Sequence, residues 1–292
     1  MKVTILTPTL EAETHFGDCL RSVSAQTYPR AQIEHIVLDG LSGDRTVEMA
    51  RDAGAQVHVG RDGSLYEALN KGVKLATGEW IVWLNADDML KPDAIERVVA
   101  SAKAHPSTEL IIGDCELLKP DGIETVRSPR RALDDIRSGA RGRAWVIPLV
   151  AVYRTRTLRG LGDYATRYRV VGDLDMWLRT AARVPPVVVS HTDSILGTFR
   201  VHPGSLSTGG PGEDRNLRET IDLATRWMDD PQAPEGVRDF ARFLLRRNVY
   251  SLRVREVREL PTWRRKLETV ILYMQWRKQG PGVLQDFFTS FH

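Results

Sequence analysis

The sequence predicts an α/β fold in which a single, mostly parallel central sheet is flanked by helices. Short β-branched runs alternate with segments of helical periodicity through the first third of the chain. Hydrophobic residues make up 42% of the 292 and charged residues 27%, the composition of a chain that buries a core. The longest nearly unbroken apolar run, 145–153, contains Pro148 and falls short of the roughly 20 residues that a membrane-spanning helix needs.

The first predicted elements alternate strand and helix. Val3–Pro8 is the first strand, and the apolar residues that follow at positions 16, 19, 20 and 23 have helical spacing. Ile33–Gly40 is the second strand, and a helix over 44–53 ends at Gly54, a residue that favours a helix stop. The third strand covers 55–60. This repetition predicts parallel pairing with helical crossovers.

The next elements continue the pattern. Ser64 and Glu67 form a capping box that begins a helix ending near Gly78. Residues 79–85 (EWIVWLN) are apolar on both faces, as a central parallel strand is. Pro92 indicates the first turn of another helix, and Glu109–Leu118 is a fifth strand.

The second half is less regular. We predict a helix over Gly172–Arg183 and a strand over Val187–Ser190. A Gly/Pro/Ser-rich segment, 202–213, predicts a mobile loop or linker, and the residues from 214 to 292 have helical character.

Charge and cysteine content exclude several classes of protein. The formal net charge is only +3, too balanced to indicate a nucleic-acid partner. Two cysteines, Cys19 and Cys115, cannot form a disulfide framework, and we expect both to be buried thiols in a reducing compartment. The first 13 residues lack the pattern of a secretory signal, so we expect a cytoplasmic protein.

Polar residues follow four successive predicted strands. Each group alone is typical of an ordinary turn. Because the carboxyl ends of parallel strands meet at one edge of a sheet, where ligands bind, the four together predict a binding site. The groups are Thr7-Pro8-Thr9, Asp39-Gly40, Arg61-Asp62-Gly63 and Asn85-Ala86-Asp87-Asp88.

Adjacent carboxylates at Asp87 and Asp88 repel unless a cation or ligand hydroxyls share them. A hard divalent ion, Mg²⁺ or Mn²⁺, prefers oxygen ligands and keeps open positions for phosphate oxygens. The pair therefore predicts a metal-bridged diphosphate. The alternative is that Asp88 only caps the following turn.

Five blocks between Val3 and Ala181 resemble the family 2 glycosyltransferases of the GT-A fold, which are inverting enzymes that use nucleotide sugars. The resemblance is nearest to the subgroup that makes bacterial exopolysaccharide, capsule or O-antigen linkages. It covers about the first two thirds of the chain. The blocks are VTILTPTLE, CLRSVSAQTYP, EHIVLDGLSGDRT, DGSLYEALNKGVKLATGEWIVWLNADD and VGDLDMWLRTA.

The resemblance implies a set of contacts to the donor. Asp39 would accept hydrogen bonds from the base, and Ala86 and Asp87 would contact the ribose. Asp88 would hold the metal. The remaining donor residues would be Thr7, Pro8 and Thr9 around the base and ribose, Arg61 and Asp62 beside them, Asn85, and Asn70 and Lys71 near the nucleotide or diphosphate.

The resemblance also implies a second metal contact from His202, which would favour Mn²⁺ because imidazole is a poor ligand for Mg²⁺. A surface histidine without a role is the alternative. Asp173 occupies the position of the family's catalytic base, and Gly172 stands where the family has Glu. Two alternatives for Asp173 stay open, a helix N-cap and a metal site shared with Asp175. We prefer the base because positions i and i+2 of a helix do not face one direction.

The acceptor and the C-terminal part are less defined. Asp114 and Trp145 are candidate acceptor contacts, although Trp145 is also a typical core residue. We expect a glycosyltransferase domain over 1–212, with a nucleotide-sugar half to about 115 and an acceptor half after it, and a helical extension over 213–292. Residues 238–278 hold 12 Lys or Arg against 4 Asp or Glu. This basic segment could contact the inner face of an anionic membrane, form a homo-oligomer contact or face solvent.

The resemblance thus implies an inverting transfer of a sugar, with UDP as the expected nucleotide, to a hydroxyl of a glycan or lipid-linked acceptor. A divalent metal would assist, and Asp173 would be the general base. The alternative, for which the Gly172 departure speaks, is a catalytically inactive subunit that binds sugar nucleotides. A nicotinamide-dependent dehydrogenase is disfavoured because no Gly-rich fingerprint follows the first strand.

Overall fold

A computed structural model of the chain describes residues 1–140, 146–206, 211–258, 260, 261, 264 and 268. Its N-terminal half has the predicted alternation of strands and helices. The elements are β1 (Val3–Thr9), α1 (Glu13–Ser24), β2 (Ile33–Asp39), α2 (Thr46–Asp52), β3 (Gln56–Val59), α3 (Leu65–Leu75) and β4 (Trp80–Trp83).

Two local details of this half differ from the prediction. Ser64 is the N-cap of α3 and accepts a hydrogen bond from the Glu67 N–H (3.2 Å). The Glu67 carboxylate accepts from the Gly63 N–H (2.8 Å), whereas in a capping box it would accept from the Ser64 N–H. Helix α3 ends at Leu75, before Gly78. A Cβ at Gly78 would lie 2.6 Å from the Thr4 nitrogen, so glycine allows the chain to pass close to β1 as it enters β4.

The second half adds strands that the sequence did not indicate. Helix α4 begins at Ala94, two residues after Pro92, and β9 is far longer than the predicted 187–190 segment. The elements are β5 (Met89–Leu90), α4 (Ala94–Ala104), β6 (Leu110–Lys119), β7 (Gly122–Val126), α5 (Ala132–Ser138), β8 (Ala151–Arg154), α6 (Thr155–Gly160), α7 (Gly172–Ala182), β9 (Val189–Arg200), α8 (Pro211–Asp229) and α9 (Glu235–Arg258).

The strands form one curled sheet in the order β3-β2-β1-β4-β8-β6-β9-β5, with β7 paired to β6. The first four strands are parallel, as predicted, and β6 and β9 are also parallel. Strand β8 runs antiparallel to both β4 and β6 and joins the two halves of the sheet. The α/β class with a mostly parallel sheet is therefore confirmed.

The C-terminal helices and the two cysteines complete the description of the fold. Helices α8 and α9 follow the Gly-rich segment. Within the described part of the chain, no helix is both long and apolar enough to cross a membrane. Cys19 and Cys115 are buried and free, and burial raises the pKa of the Cys115 thiol to about 12.

Candidate active site

The carboxyl ends of β1, β2 and β4 meet at one edge of the sheet. Thr9 pairs with Asp39 in the β1–β2 register, and the Gly60 N–H donates to the Asp39 carbonyl (2.9 Å). The turn after β4 lies beside the end of β9, where the Arg200 N–H donates to Asp88 Oδ1 (3.0 Å). The four groups predicted from strand ends therefore share this edge.

Asp39 organises the loops of the edge through all of its carboxylate lone pairs. Oδ1 accepts from the N–H groups of Leu41 (3.1 Å) and Ser42 (2.8 Å), and Oδ2 accepts from the hydroxyls of Thr9 (2.9 Å) and Ser42 (2.6 Å). The Asp39 carboxylate is fully buried. An N–H group of a nucleobase could therefore bind to it only by replacing one of these protein groups, for example the Ser42 hydroxyl.

Thr7 and Asn70 both bond to other parts of the chain. The Thr7 hydroxyl lies 3.0 Å from His35 Nε2 in the interior, where burial lowers the pKa of His35 to about 4. Asn70 is buried, and its side chain donates to the Tyr164 carbonyl (2.9 Å) and accepts from the Tyr164 N–H (2.7 Å). The donor contacts expected of these two residues stay predictions.

The other donor-side residues lie at the edge. Pro8 is buried within β1, and Ala86 is half-buried in the turn after β4. Lys71 forms an ion pair with Asp62 and donates to the Arg61 carbonyl (3.2 Å), so this lysine stabilises the loop before α3. The Arg61 residue itself is exposed.

Asp87 and Asp88 turn in opposite directions. Asp88 is fully buried; besides the Arg200 N–H it accepts from Asn85 Nδ2 (3.1 Å), and burial together with the Asp87 charge raises its pKa. The Asp87 side chain is 32% exposed, and its Oδ2 lies 3.0 Å from His202 Nε2. Both Asp88 oxygens therefore accept from protein donors, and Asp87 has the more accessible carboxylate. The metal contact expected of Asp88 stays a prediction.

His202 lies where a ligand could reach it. Its side chain is 24% exposed, and its Nδ1 accepts from the Gly204 N–H (3.2 Å), so Nε2 carries the proton that it donates to Asp87. The ring of His15, from α1, stands 4.9 Å from that of His202. Sequence reasoning missed His15, because only its early position on the helix after β1 indicated this edge.

Arg200 fixes the Asp87-Asp88 turn from the end of β9. Its Nε donates to the Asp87 carbonyl (3.1 Å), and its Nη2 forms an ion pair with Asp18 of α1 (2.6 Å). The guanidinium is therefore occupied by protein groups. Among the residues that the structure describes, no group of three or more His, Cys, Asp or Glu side chains is arranged to hold a metal ion.

Two parts of the site are Asp173, in the first turn of α7, and the turn after β4. A continuous series of contacts joins the two: Asn85 Oδ1 accepts from Trp83 Nε1 (2.7 Å), the Tyr66 ring meets the Trp83 ring edge-on at 6.1 Å, and the Tyr66 hydroxyl lies 3.5 Å from Asp173 Oδ1. Asp173 lines a small cavity together with Trp83, Tyr164 and Met176.

Tyr66 explains why this chain has glycine at position 172. The Tyr66 hydroxyl donates to the Val170 carbonyl (2.7 Å) and accepts from the Asp173 N–H (3.4 Å). A Cβ at Gly172 would lie 2.8 Å from two atoms of the Tyr66 ring, so no larger residue fits there. The glycine therefore belongs to a packing arrangement that orders the start of α7.

We expect Gly172→Glu to lower transfer activity by about 10²-fold, because the new side chain must displace the Tyr66 ring and shift Asp173. The measurement is kcat of the variant beside wild type. Gly172→Ala, which adds only the Cβ, should lower kcat less than Gly172→Glu does. Wild-type kcat in Gly172→Glu would show that the steric explanation is wrong.

Of the two candidate acceptor residues, the structure describes only Asp114. Asp114 is buried and accepts from the Ser128 N–H (2.9 Å) and from Arg130 Nη2 (3.3 Å), so it stabilises the loop before α5. The acceptor contact expected of Asp114 stays a prediction. Trp145 lies outside the described residues.

Comparisons with known proteins match this chain to glycosyltransferases. Residues 4–126 match the sequence model of Glycosyl transferase family 2. A PGL/p-HBAD biosynthesis glycosyltransferase of Mycobacterium bovis is 27% identical over 237 residues, which cover 76% of this chain and 84% of the relative.

Two solved structures share the fold. Staphylococcus aureus TarS 1-349 in complex with UDP superposes with a TM-score of 0.64 at 17% identity, over 92% of this chain and 78% of that one. The mannosyltransferase PcManGT from Pyrobaculum calidifontis, in complex with GDP-Man and Mn²⁺, gives a TM-score of 0.61 at 16% identity, over 99% and 84% of the two chains. The protein is therefore a glycosyltransferase of the GT-A fold. Its residues 4–126 are the part that matches glycosyl transferase family 2.

Proposed function

We propose that the protein transfers a sugar from a nucleoside diphosphate donor, with UDP as the first candidate nucleotide, to a hydroxyl of a glycan or lipid-linked acceptor, with inversion at the anomeric carbon. The observation that carries the proposal is the series of contacts through Trp83 and Tyr66 that leads from Asp173 to the turn holding Asp87, whose carboxylate contacts His202. Such a site offers a cation position on the donor side and a carboxylate near the reacting sugar.

Asp87 and His202 would hold the metal ion. Their side chains are partly exposed and 3.0 Å apart, and a carboxylate with an imidazole suits Mn²⁺ better than Mg²⁺. Two protein ligands are sufficient when substrate phosphates complete the coordination. When bound, the ion would neutralise the negative charge that grows on the departing diphosphate. The Mn²⁺ in the PcManGT complex supports this assignment.

Asp173 would act as the general base. As the bond from the anomeric carbon to the diphosphate breaks, the attacking hydroxyl must lose its proton to a group within hydrogen-bond reach. Tyr66 and the first turn of α7 hold the Asp173 backbone, and its Oδ1 accepts from the Leu174 N–H (2.9 Å). A single in-line displacement of this kind inverts the anomeric carbon and forms no covalent enzyme intermediate.

The donor base would lie over the loops that follow β1 and β2. Thr9, Asp39 and the exposed Arg61 remain the candidates for base and ribose contacts, with Asp62 and Lys71 holding the neighbouring loop. The TarS complex contains UDP and the PcManGT complex contains GDP-Man, so relatives of this fold accept different bases. Asp39 is compatible with uridine because a carboxylate can accept from an imide N–H.

The proposed acceptor rests on the name of a relative and on the charge of the C-terminal segment. The mycobacterial relative is named for PGL/p-HBAD biosynthesis, which supports a glycan or lipid-linked acceptor for this chain. The basic segment 238–278 supports contact with an anionic membrane surface at the cytoplasmic face, where such acceptors would be reached. Several arginines of α9 are exposed within its described part, and a homo-oligomer contact through the same helix stays the competing proposal.

A panel of nucleotide sugars tests the donor. Because a ligand that binds only the folded protein raises its melting temperature, we expect UDP-sugars with Mn²⁺ to raise Tm by several degrees, and less without the metal. The corresponding GDP-sugars are the matched controls. A shift with GDP-sugars alone would overturn the choice of uridine, and no shift with any nucleotide sugar would overturn donor binding.

A further inference from the structure

The segment that carries Asp173 is held by a carboxylate from the C-terminal extension. Glu219 of α8 accepts from three successive N–H groups, with Oε2 at 3.0 Å from the Arg169 nitrogen, 2.8 Å from that of Val170 and 3.3 Å from that of Val171. Its Oε1 also accepts from the Arg169 N–H (2.9 Å). Consecutive backbone N–H groups that converge in this way form an anion-binding concavity.

The carboxylate binds the backbone just before α7. Val171 is the N-cap residue of α7, and its own side chain forms no capping hydrogen bond. Glu219 accepts from the Val171 N–H and from the N–H groups of the two residues before it. Its negative charge is favourable at this end of the helix because of the helix dipole, and it comes from a residue 48 positions further along the chain than Val171.

Two more hydrogen bonds join α8 to residues before and after the Glu219 contact. The Tyr168 hydroxyl donates to Asp222 Oδ2 (3.0 Å), and Trp227 Nε1 donates to Asp175 Oδ1 (3.0 Å). The four residues from 168 to 171 and Asp175 are thus bonded to α8, while the Tyr66 hydroxyl of α3 bonds to Val170 and Asp173. The segment around Asp173 is therefore bonded to both α8 and α3.

We propose that Glu219 is a positioning residue for Asp173, so that the C-terminal extension is a required part of the catalytic site. The inference rests on the proposed function, since it assumes that Asp173 is the base. A displacement of about 1 Å in a reacting group can lower the rate about 10²-fold, and loss of Glu219 frees three backbone donors directly before the base.

The variant Glu219→Ala tests this. We expect kcat to fall about tenfold to 100-fold with the donor KM nearly unchanged, because the donor half of the site is built by β1 to β4. Added formate or acetate should restore part of kcat by occupying the vacated concavity, and Glu219→Gln, which retains one acceptor oxygen, should be intermediate. The matched control is Asp214→Ala, which removes an α8 carboxylate that pairs only with Arg218 in its known contacts and should keep wild-type kcat.

Hydrogen exchange supplies a readout that does not depend on the chemistry. Exchange at residues 168–175 should rise in Glu219→Ala and fall again with acetate. Wild-type kcat in Glu219→Ala, or a lowered kcat with unchanged exchange and no rescue by small carboxylates, would overturn the inference. Failure of the proposed base is distinguishable, because it would appear as wild-type turnover of Asp173→Asn whatever Glu219→Ala does.

Discussion

Replacing Asp173 with Asn should lower kcat for sugar transfer by about 10³-fold while the donor still binds. A positioned general base contributes about 10² to 10⁴ to the rate, and an amide cannot take the proton of the acceptor hydroxyl. The substitution preserves the shape of the side chain, and the amide oxygen can still accept from the Leu174 N–H as Oδ1 does (2.9 Å). The loss should therefore be a loss of proton transfer.

The measurement is product formation at saturating donor, with donor affinity determined by calorimetry in the presence of Mn²⁺. Asp193→Asn is a suitable control, because the Asp193 side chain is 91% exposed and pairs with Arg130 away from α7. Wild-type turnover in Asp173→Asn would show that another group is the base. Loss of Mn²⁺ binding in the same variant would instead favour the metal site at Asp173 and Asp175.

The first half of the fold was predictable because its signals are local. Strands β1, β2 and β4 are short runs of buried residues bounded by polar turns, whereas β3 at the end of the sheet is mostly exposed. The crossover helices have their own apolar spacing. The polar residues at the strand ends share one edge because the strands that they follow are parallel. Neither inference needed knowledge of distant contacts.

The orientation of individual side chains was not predictable, because distant partners decide it. Asp88 turns inward because the Arg200 N–H, 112 residues away, donates to it, and Asn70 is occupied by Tyr164, 94 residues away. Strand β8 was missed for a similar reason, since its antiparallel pairing with β4 and β6 depends on segments that are far apart in the sequence.

The clearest test of these orientations is a comparison of Asp87→Ala with Asp88→Ala. We expect Asp87→Ala to abolish the Mn²⁺-dependent rise in Tm with donor and to lower kcat/KM by about 10²-fold or more, because it removes the accessible carboxylate beside His202. The melting temperature without ligands should change little, since a one-third exposed side chain contributes little to the core.

Asp88→Ala should lower the melting temperature without ligands and leave the Mn²⁺-dependent rise in place. It leaves the Arg200 N–H and the Asn85 amide without their acceptor in a fully buried position, and each unsatisfied buried group costs about 1 to 3 kcal/mol in the free energy of unfolding. We therefore expect a clear fall in Tm without ligands, and a Mn²⁺-dependent rise that persists at temperatures where the variant is folded. If Asp88→Ala instead keeps its stability and loses the Mn²⁺ effect, while Asp87→Ala retains it, then the metal ligand is Asp88, and the inward carboxylate must turn when the donor binds.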